Sequence, residues 1–193
     1  GMDVMAHAVE ALASTAATAF TDPYAVQAIK MVLESLPIAY AEPKNLGARE
    51  AMHEASALAG MAFTNASLGL VHSMAHKIGG EFGVTHGLAN AILLPYVIAF
   101  NRRYSDKYAY AEKLLGLEDL SKAIEEMNRK MDIPSCFKDC TEVDFNEAKF
   151  KELLDRMSKH AWEDPCTLTN PGKPNASDVK MLFEAAYYGK AVK

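Results

Sequence analysis

Cysteine is scarce in this sequence: Cys136, Cys140 and Cys166 are the three among 193 residues. A small, odd set without regular spacing excludes a disulfide-built scaffold and fits a reducing, cytoplasmic setting, with Cys136 and Cys140 read as free loop thiols. Positive charge is also short. Twenty Lys and Arg against 25 Asp and Glu leave a net charge of −5, so no cationic surplus exists to displace counterions from a phosphate backbone. Nucleic acid is therefore excluded as a partner. Long apolar runs are missing: the longest uncharged one, near residues 89–100, is too short for a bilayer and contains Pro95. The first apolar stretch carries Asp3 and Glu10 and does not read as a signal peptide. Alternating strand patterns and short internal repeats are absent. Gly79, Gly80 and Gly83 follow no strand and miss the spacing of a dinucleotide-binding loop.

What remains is helical. Half of the residues are hydrophobic, enough to bury the core of one domain over residues 1–193. Residues 2–19 are rich in good helix formers. Thr21-Asp22-Pro23 is a helix-start signal, followed by the stripe Ala25, Ile29, Val32, Leu33 and Leu36. Pro37 is expected to bend that helix and Pro43 to end the segment. A helix over residues 48–65 carries Ala55, Ala59, Gly60 and Ala62, small enough for close packing. Another runs from His86 to about Arg102, with a kink near Ala91 where Pro95 removes a backbone hydrogen bond. More charged helices are predicted over 105–115, 119–131 and 146–160, with a last one from Ser177 or Asp178 to about Tyr188. Residues 132–142 read as irregular and 164–175 as a Pro/Asn/Gly-rich loop. The predicted fold is all-α, an irregular multi-helix bundle with roughly the first hundred residues inside and the charged C-terminal helices as an outer layer.

Three of the six histidines, His72, His76 and His86, fall in one apolar, glycine-rich stretch. His72 and His76 share a helix face, and His86 follows Thr85, a candidate N-cap. Gly79, Gly80 and Gly83 are expected to form a tight turn between the two helices. Asp3 and His7, four apart, place a carboxylate and an imidazole on one face among apolar neighbours. Either pair alone has a plain structural explanation, a capping Asp or a core His bonded to a carbonyl. Together, Asp3, His7, His72 and His86 make one hard oxygen and three borderline nitrogens, a set suited to a first-row divalent ion with a position left for a substrate oxygen. His53-Glu54 begins like a zinc-protease motif, but position 57 is Ala, and His160 sits at a charged helix end.

Gly1-Met2-Asp3 with His7-Ala8-Val9-Glu10 resembles one signature of the iron-containing (group III) alcohol dehydrogenases, and Gly69-Leu70-Val71-His72 through Thr85-His86-Gly87-Leu88-Ala89-Asn90 resembles the other. Asp164-Pro165-Cys166-Thr167, Asn170-Pro171 and Tyr187-Tyr188-Gly189 also resemble family C-termini. The chain is similar above all to the alcohol-dehydrogenase half of bifunctional aldehyde/alcohol dehydrogenases and to the lactaldehyde reductase and butanol dehydrogenase group. The resemblance implies the helical C-terminal domain of a dehydroquinate-synthase-like fold. It implies Fe2+ on Asp3, His7, His72 and His86, with Zn2+ or Ni2+ able to replace it in a preparation. It implies that His76 relays protons, that NAD(P) serves the full-length enzyme, and that a small alcohol or aldehyde is the substrate. The family's N-terminal nucleotide-binding domain is not within these residues. The chain is therefore expected to act as the metal- and substrate-binding half, inactive alone, and to mask its exposed cleft face as a homo-oligomer. The alternative expectation is a catalytically incompetent helical metal-binding or assembly module.

Overall fold

In the computed structural model, which describes residues 1–192, the apolar stripes close into helices and no strand occurs among the described residues. The helices are α1 (Met2–Ala13), α2 (Asp22–Ala41), α3 (Leu46–Ala66), α4 (Leu70–Phe82), α5 (His86–Asn101), α6 (Lys107–Leu115), α7 (Leu120–Lys130), α8 (Glu147–Trp162) and α9 (Ala176–Tyr188). Short 3-10 turns cover Phe137–Asp139 and Pro165–Thr169.

α1 is the hub, packed on α2, α3 and α5, while α4 lies between α5 and α8. The fully alanine inner face of α3, from Ala55 through Ala59 and Ala62 to Ala66, is buried and lets α3 approach its neighbours closely. α1 stops at Ala13 rather than near residue 19. Ser14 turns the backbone extended, and its hydroxyl donates to the Ala66 carbonyl at 2.5 Å, a tertiary bond that competes with helix continuation. α2 runs through Pro37 to Ala41 and ends before Pro43.

α5 also continues through its proline, and the cost is met elsewhere. Pro95 has no N–H for the Ala91 carbonyl four residues back. Asn128 of α7 supplies the missing donor, its Nδ2 standing 2.8 Å from that oxygen. The lost ladder bond thus becomes a tertiary clamp between α5 and α7.

The expectation of an inner N-terminal half and an outer C-terminal layer is corrected. One core cluster takes Met5, Leu12, Ile29 and Met74 together with Phe137, Phe150, Phe183 and Tyr187. Phe150 and Tyr187 stack with ring centroids 4.0 Å apart. The charges on α7, α8 and α9 occupy outer faces of helices whose inner faces are aromatic and aliphatic.

Candidate metal centre

Three helices deliver the site. α1 brings Asp3 and His7, α4 brings His72 and His76, and the first residue of α5 is His86. The link between α4 and α5 differs from the expected glycine turn. Gly79 and Gly80 are ordinary helical residues of α4, and only Gly83 takes the left-handed conformation, at φ +77°, that ends the helix. Thr85 occupies the N-cap position without capping. Its backbone N–H and its hydroxyl instead donate to the Glu142 carboxylate, at 2.6 and 3.0 Å.

The start of α4 is closed by side chains from afar, because its N-cap, Gly69, has none to offer. Glu10 of α1 accepts the Val71 N–H at 2.5 Å and lies 3.4 Å from that of His72. Asn170 accepts the Leu70 N–H at 3.1 Å. A Cβ on Gly69 would come within 2.8 Å of Asn170 Oδ1 and 2.9 Å of Glu10 Oε1, so glycine is required for this close approach. Residues 164–170 continue along α4 at one-turn intervals. Thr167 Oγ1 lies 2.7 Å from Ser73 Oγ, and Asp164 Oδ2 lies 3.2 Å from His76 Nδ1 and 2.9 Å from Lys77 Nζ.

His72 forms the floor of the site, 2% exposed, with His76 and His86 at the open rim. The Glu10 carboxylate, 2.6 Å away, accepts the His72 Nδ1 proton, so Nε2 faces inward. That nitrogen is buried with no hydrogen-bond partner. It stands 3.4 Å from Asp3 Oδ1, a charge contact rather than a hydrogen bond. His86 Nε2 is 3.3 Å from the same oxygen, and Asn90 Nδ2 reaches both, at 2.6 Å from Asp3 Oδ1 and 3.1 Å from His86. Asp3, His72 and His86 each present a ligand atom within 4.8 Å of the others. His7 stands beside this trio, its ring 4.3 Å from that of His72 and stacked on Phe63 of α3 at 4.4 Å. Its Nδ1 is 2.8 Å from the Asp3 carbonyl, which leaves Nε2 as the nitrogen open to a ligand role.

The electrostatics suit a cation. Burial pushes the Asp3 carboxyl upward, but the attraction of His72, His7 and His86 outweighs it and holds the group at about 2. Burial pulls His72 down, yet Asp3 and Glu10 lift it to about 9, so an entering ion would have to displace the Nε2 proton. Burial and the charge on His72 lower His7, and burial lowers His86. An orphaned buried nitrogen, an ionised carboxylate and two imidazoles with depressed proton affinity form a donor set that fits a first-row divalent ion.

His76 is near but distinct. Its ring stacks on His86 at 5.5 Å, while Nδ1 turns to Asp164. Burial raises the Asp164 carboxyl, but Lys77, the Cys166 N–H and His76 together hold it at about 2. His53 and His160 are exposed and enter neither cluster. Glu10, Asn90 and Asp164 are the residues that reading for ligands alone passed over. Glu10 shares the α1 face of Asp3 and His7, and Asn90 lies one turn after His86. A cavity of about 710 Å³ between α5, α7 and the C-terminal tail, lined by Ile92, Tyr96 and Ile133, contains none of these residues.

The chain is 45% identical over 202 residues to an NADPH-dependent butanol dehydrogenase of Clostridium saccharobutylicum, covering all of this chain and 51% of that protein. It is 39% identical to an aldehyde-alcohol dehydrogenase of Streptococcus pneumoniae, covering 98% of this chain and 24% of the relative. Among solved structures, an iron-containing alcohol dehydrogenase of Thermococcus thioreducens superposes with a TM-score of 0.87 at 35% identity, over 98% of this chain and 50% of that one. The chain thus spans about half the length of the butanol dehydrogenase and about a quarter of the bifunctional relative. The model of the Fe-containing alcohol dehydrogenase family, C-terminal, matches residues 1–187, and the chain belongs to that family.

Proposed function

We propose that this chain is the metal- and substrate-binding part of an NAD(P)-dependent alcohol dehydrogenase or aldehyde reductase. The described residues 1–192 form its single helical domain and work with a nucleotide-binding part. Asp3, His7, His72 and His86 hold Fe2+, with Zn2+ or Ni2+ as substitutes. The observation that carries this reading is the buried, unpartnered His72 Nε2 facing Asp3 and His86.

A divalent ion there supplies Lewis acidity toward the oxygen of a small alcohol or aldehyde. The chain's own residues do the positioning. Glu10 accepts the His72 Nδ1 proton and leaves Nε2 as the nitrogen that would face the ion. The Asp3 carbonyl does the same for His7, and Asn90 fixes the Asp3 carboxylate against His86. His76, at the rim with Nδ1 tied to Asp164, has Nε2 available to take up or release the alcohol proton. NAD(P) supplies the hydride-accepting ring, and no residue of this chain is assigned to it. Three free thiols favour a cytoplasmic setting. No helix among the described residues is long and apolar enough to cross a membrane. A second copy of the chain is a further partner, since Ile38 and Tyr40 of α2 and Leu46 and Met61 of α3 are exposed.

The test is anaerobic NAD(P)H oxidation with propanal or butanal by Fe2+-loaded protein, alone and with the nucleotide-binding half of a relative added. Turnover that depends on the added half and is lost in His76→Ala supports the proposal. Tight metal binding without turnover in either setting favours a catalytically incompetent module.

A further inference from the structure

The turn that buttresses α4 also brings a thiol to the rim of the cleft. A ring nitrogen of His76, an Asp164 carboxylate oxygen and Cys166 Sγ all lie within 4.8 Å of one another. Asp164 is buried and held from both sides. Its Oδ1 accepts the Cys166 N–H at 3.0 Å, and its Oδ2 faces His76 and Lys77. The carboxylate and the thiol are therefore fixed in one short turn, and the imidazole comes to them from α4. We propose that His76, Asp164 and Cys166 form a second metal-binding position, for a zinc-class divalent ion, beside the centre at Asp3, His72 and His86.

The donor chemistry separates the two positions. The first holds nitrogen and oxygen only, whereas the second adds sulfur, which favours softer ions such as Zn2+, Co2+ or Cd2+. Bonds of about 2.0–2.3 Å place ligand atoms on one such ion roughly 3–4 Å apart, so the trio needs only small side-chain rotations. Lys77 Nζ, 2.9 Å from Asp164 Oδ2, supplies the positive charge that the ion would bring, and it is the competitor to be displaced. Its stem is flexible and part-exposed, so displacement does not disturb the core. On binding, the Cys166 S–H bond breaks, a sulfur–metal bond forms and the proton leaves to solvent. An ion there would also engage His76, a consequence that matters for catalysis only on the proton-carrying role proposed above.

The experiment is a Co2+ titration of the whole chain, reading the near-ultraviolet sulfur-to-cobalt charge-transfer band. The first centre has no sulfur and cannot produce it. The expected result is a band in the wild type whose final intensity corresponds to one cobalt–thiolate site per chain, complete by two cobalt per chain as the sulfur-free centre also fills, and lost in Cys166→Ala. It should persist in the Cys136→Ser/Cys140→Ser double variant and in His72→Ala. Lys77→Met should tighten the sulfur-linked step several-fold. No band in the wild type, a band retained in Cys166→Ala, or one lost with Cys136 and Cys140 overturns the proposal. Failure of the first centre would instead appear as His72→Ala leaving the sulfur-free binding step unchanged.

Discussion

Glu10 does two jobs with one carboxylate: it closes the start of α4 and it orients His72. Truncation leaves buried N–H groups and an imidazole without partners. Glu10→Ala is therefore expected to cost about 2–3 kcal/mol in a denaturant titration and to weaken metal binding roughly 10–100-fold. Stability loss with unchanged metal affinity would remove the orienting role. Asp164 provides a pH signature. Its carboxyl, held at about 2 against an ordinary 3.8, contributes stability that is fully present above the ordinary value and is lost as pH falls from about 4 toward 2. Asp164→Asn should flatten this part of the acid-unfolding curve, and an unchanged curve would count against the Lys77 and His76 contacts. At this scale the candidate ligands were readable from sequence because Asp3/His7 and the His72–His86 stretch are local patterns. The supports were not, because Glu10 meets α4 across some sixty residues and Asp164 meets His76 across 88. Spacing carries no record of such contacts.

Helices were legible where apolar periodicity ran uninterrupted, as in α2, α3 and α8. Sequence missed where tertiary bonds override local preference. Good helix formers continue past Ala13, yet the Ser14 bond to Ala66 ends α1. Gly79 and Gly80 look like a turn, yet they stay helical inside α4. Pro95 is the instructive case, since its kink signal was plain but the compensating donor, Asn128, lies 37 residues from Ala91. Asn128→Leu should cost about 1–3 kcal/mol by leaving the Ala91 carbonyl unpaired. In a Pro95→Ala background the backbone recovers its own donor and the cost should shrink, so the two changes are non-additive in a double-mutant cycle. Strict additivity in urea unfolding would refute the clamp.

At the scale of the whole molecule, the all-α class followed from the missing strand patterns, but the layering did not. Charge on the outer faces of α8 and α9 concealed Phe150, Phe183 and Tyr187, which complete the core. The exposed apolar residues of α2 and α3 lead to a prediction of self-association at high concentration, and a monomer throughout by light scattering would oppose it. The central claim is that α1, α4 and α5 converge to give one ion its carboxylate and imidazole ligands. Its most direct test is the metal content of protein purified without oxygen, reconstituted with Fe2+ and stripped of loosely held metal. One iron should remain per chain in the wild type and in His53→Ala, and none in His72→Ala. Equal metal in His53→Ala and His72→Ala would contradict the account.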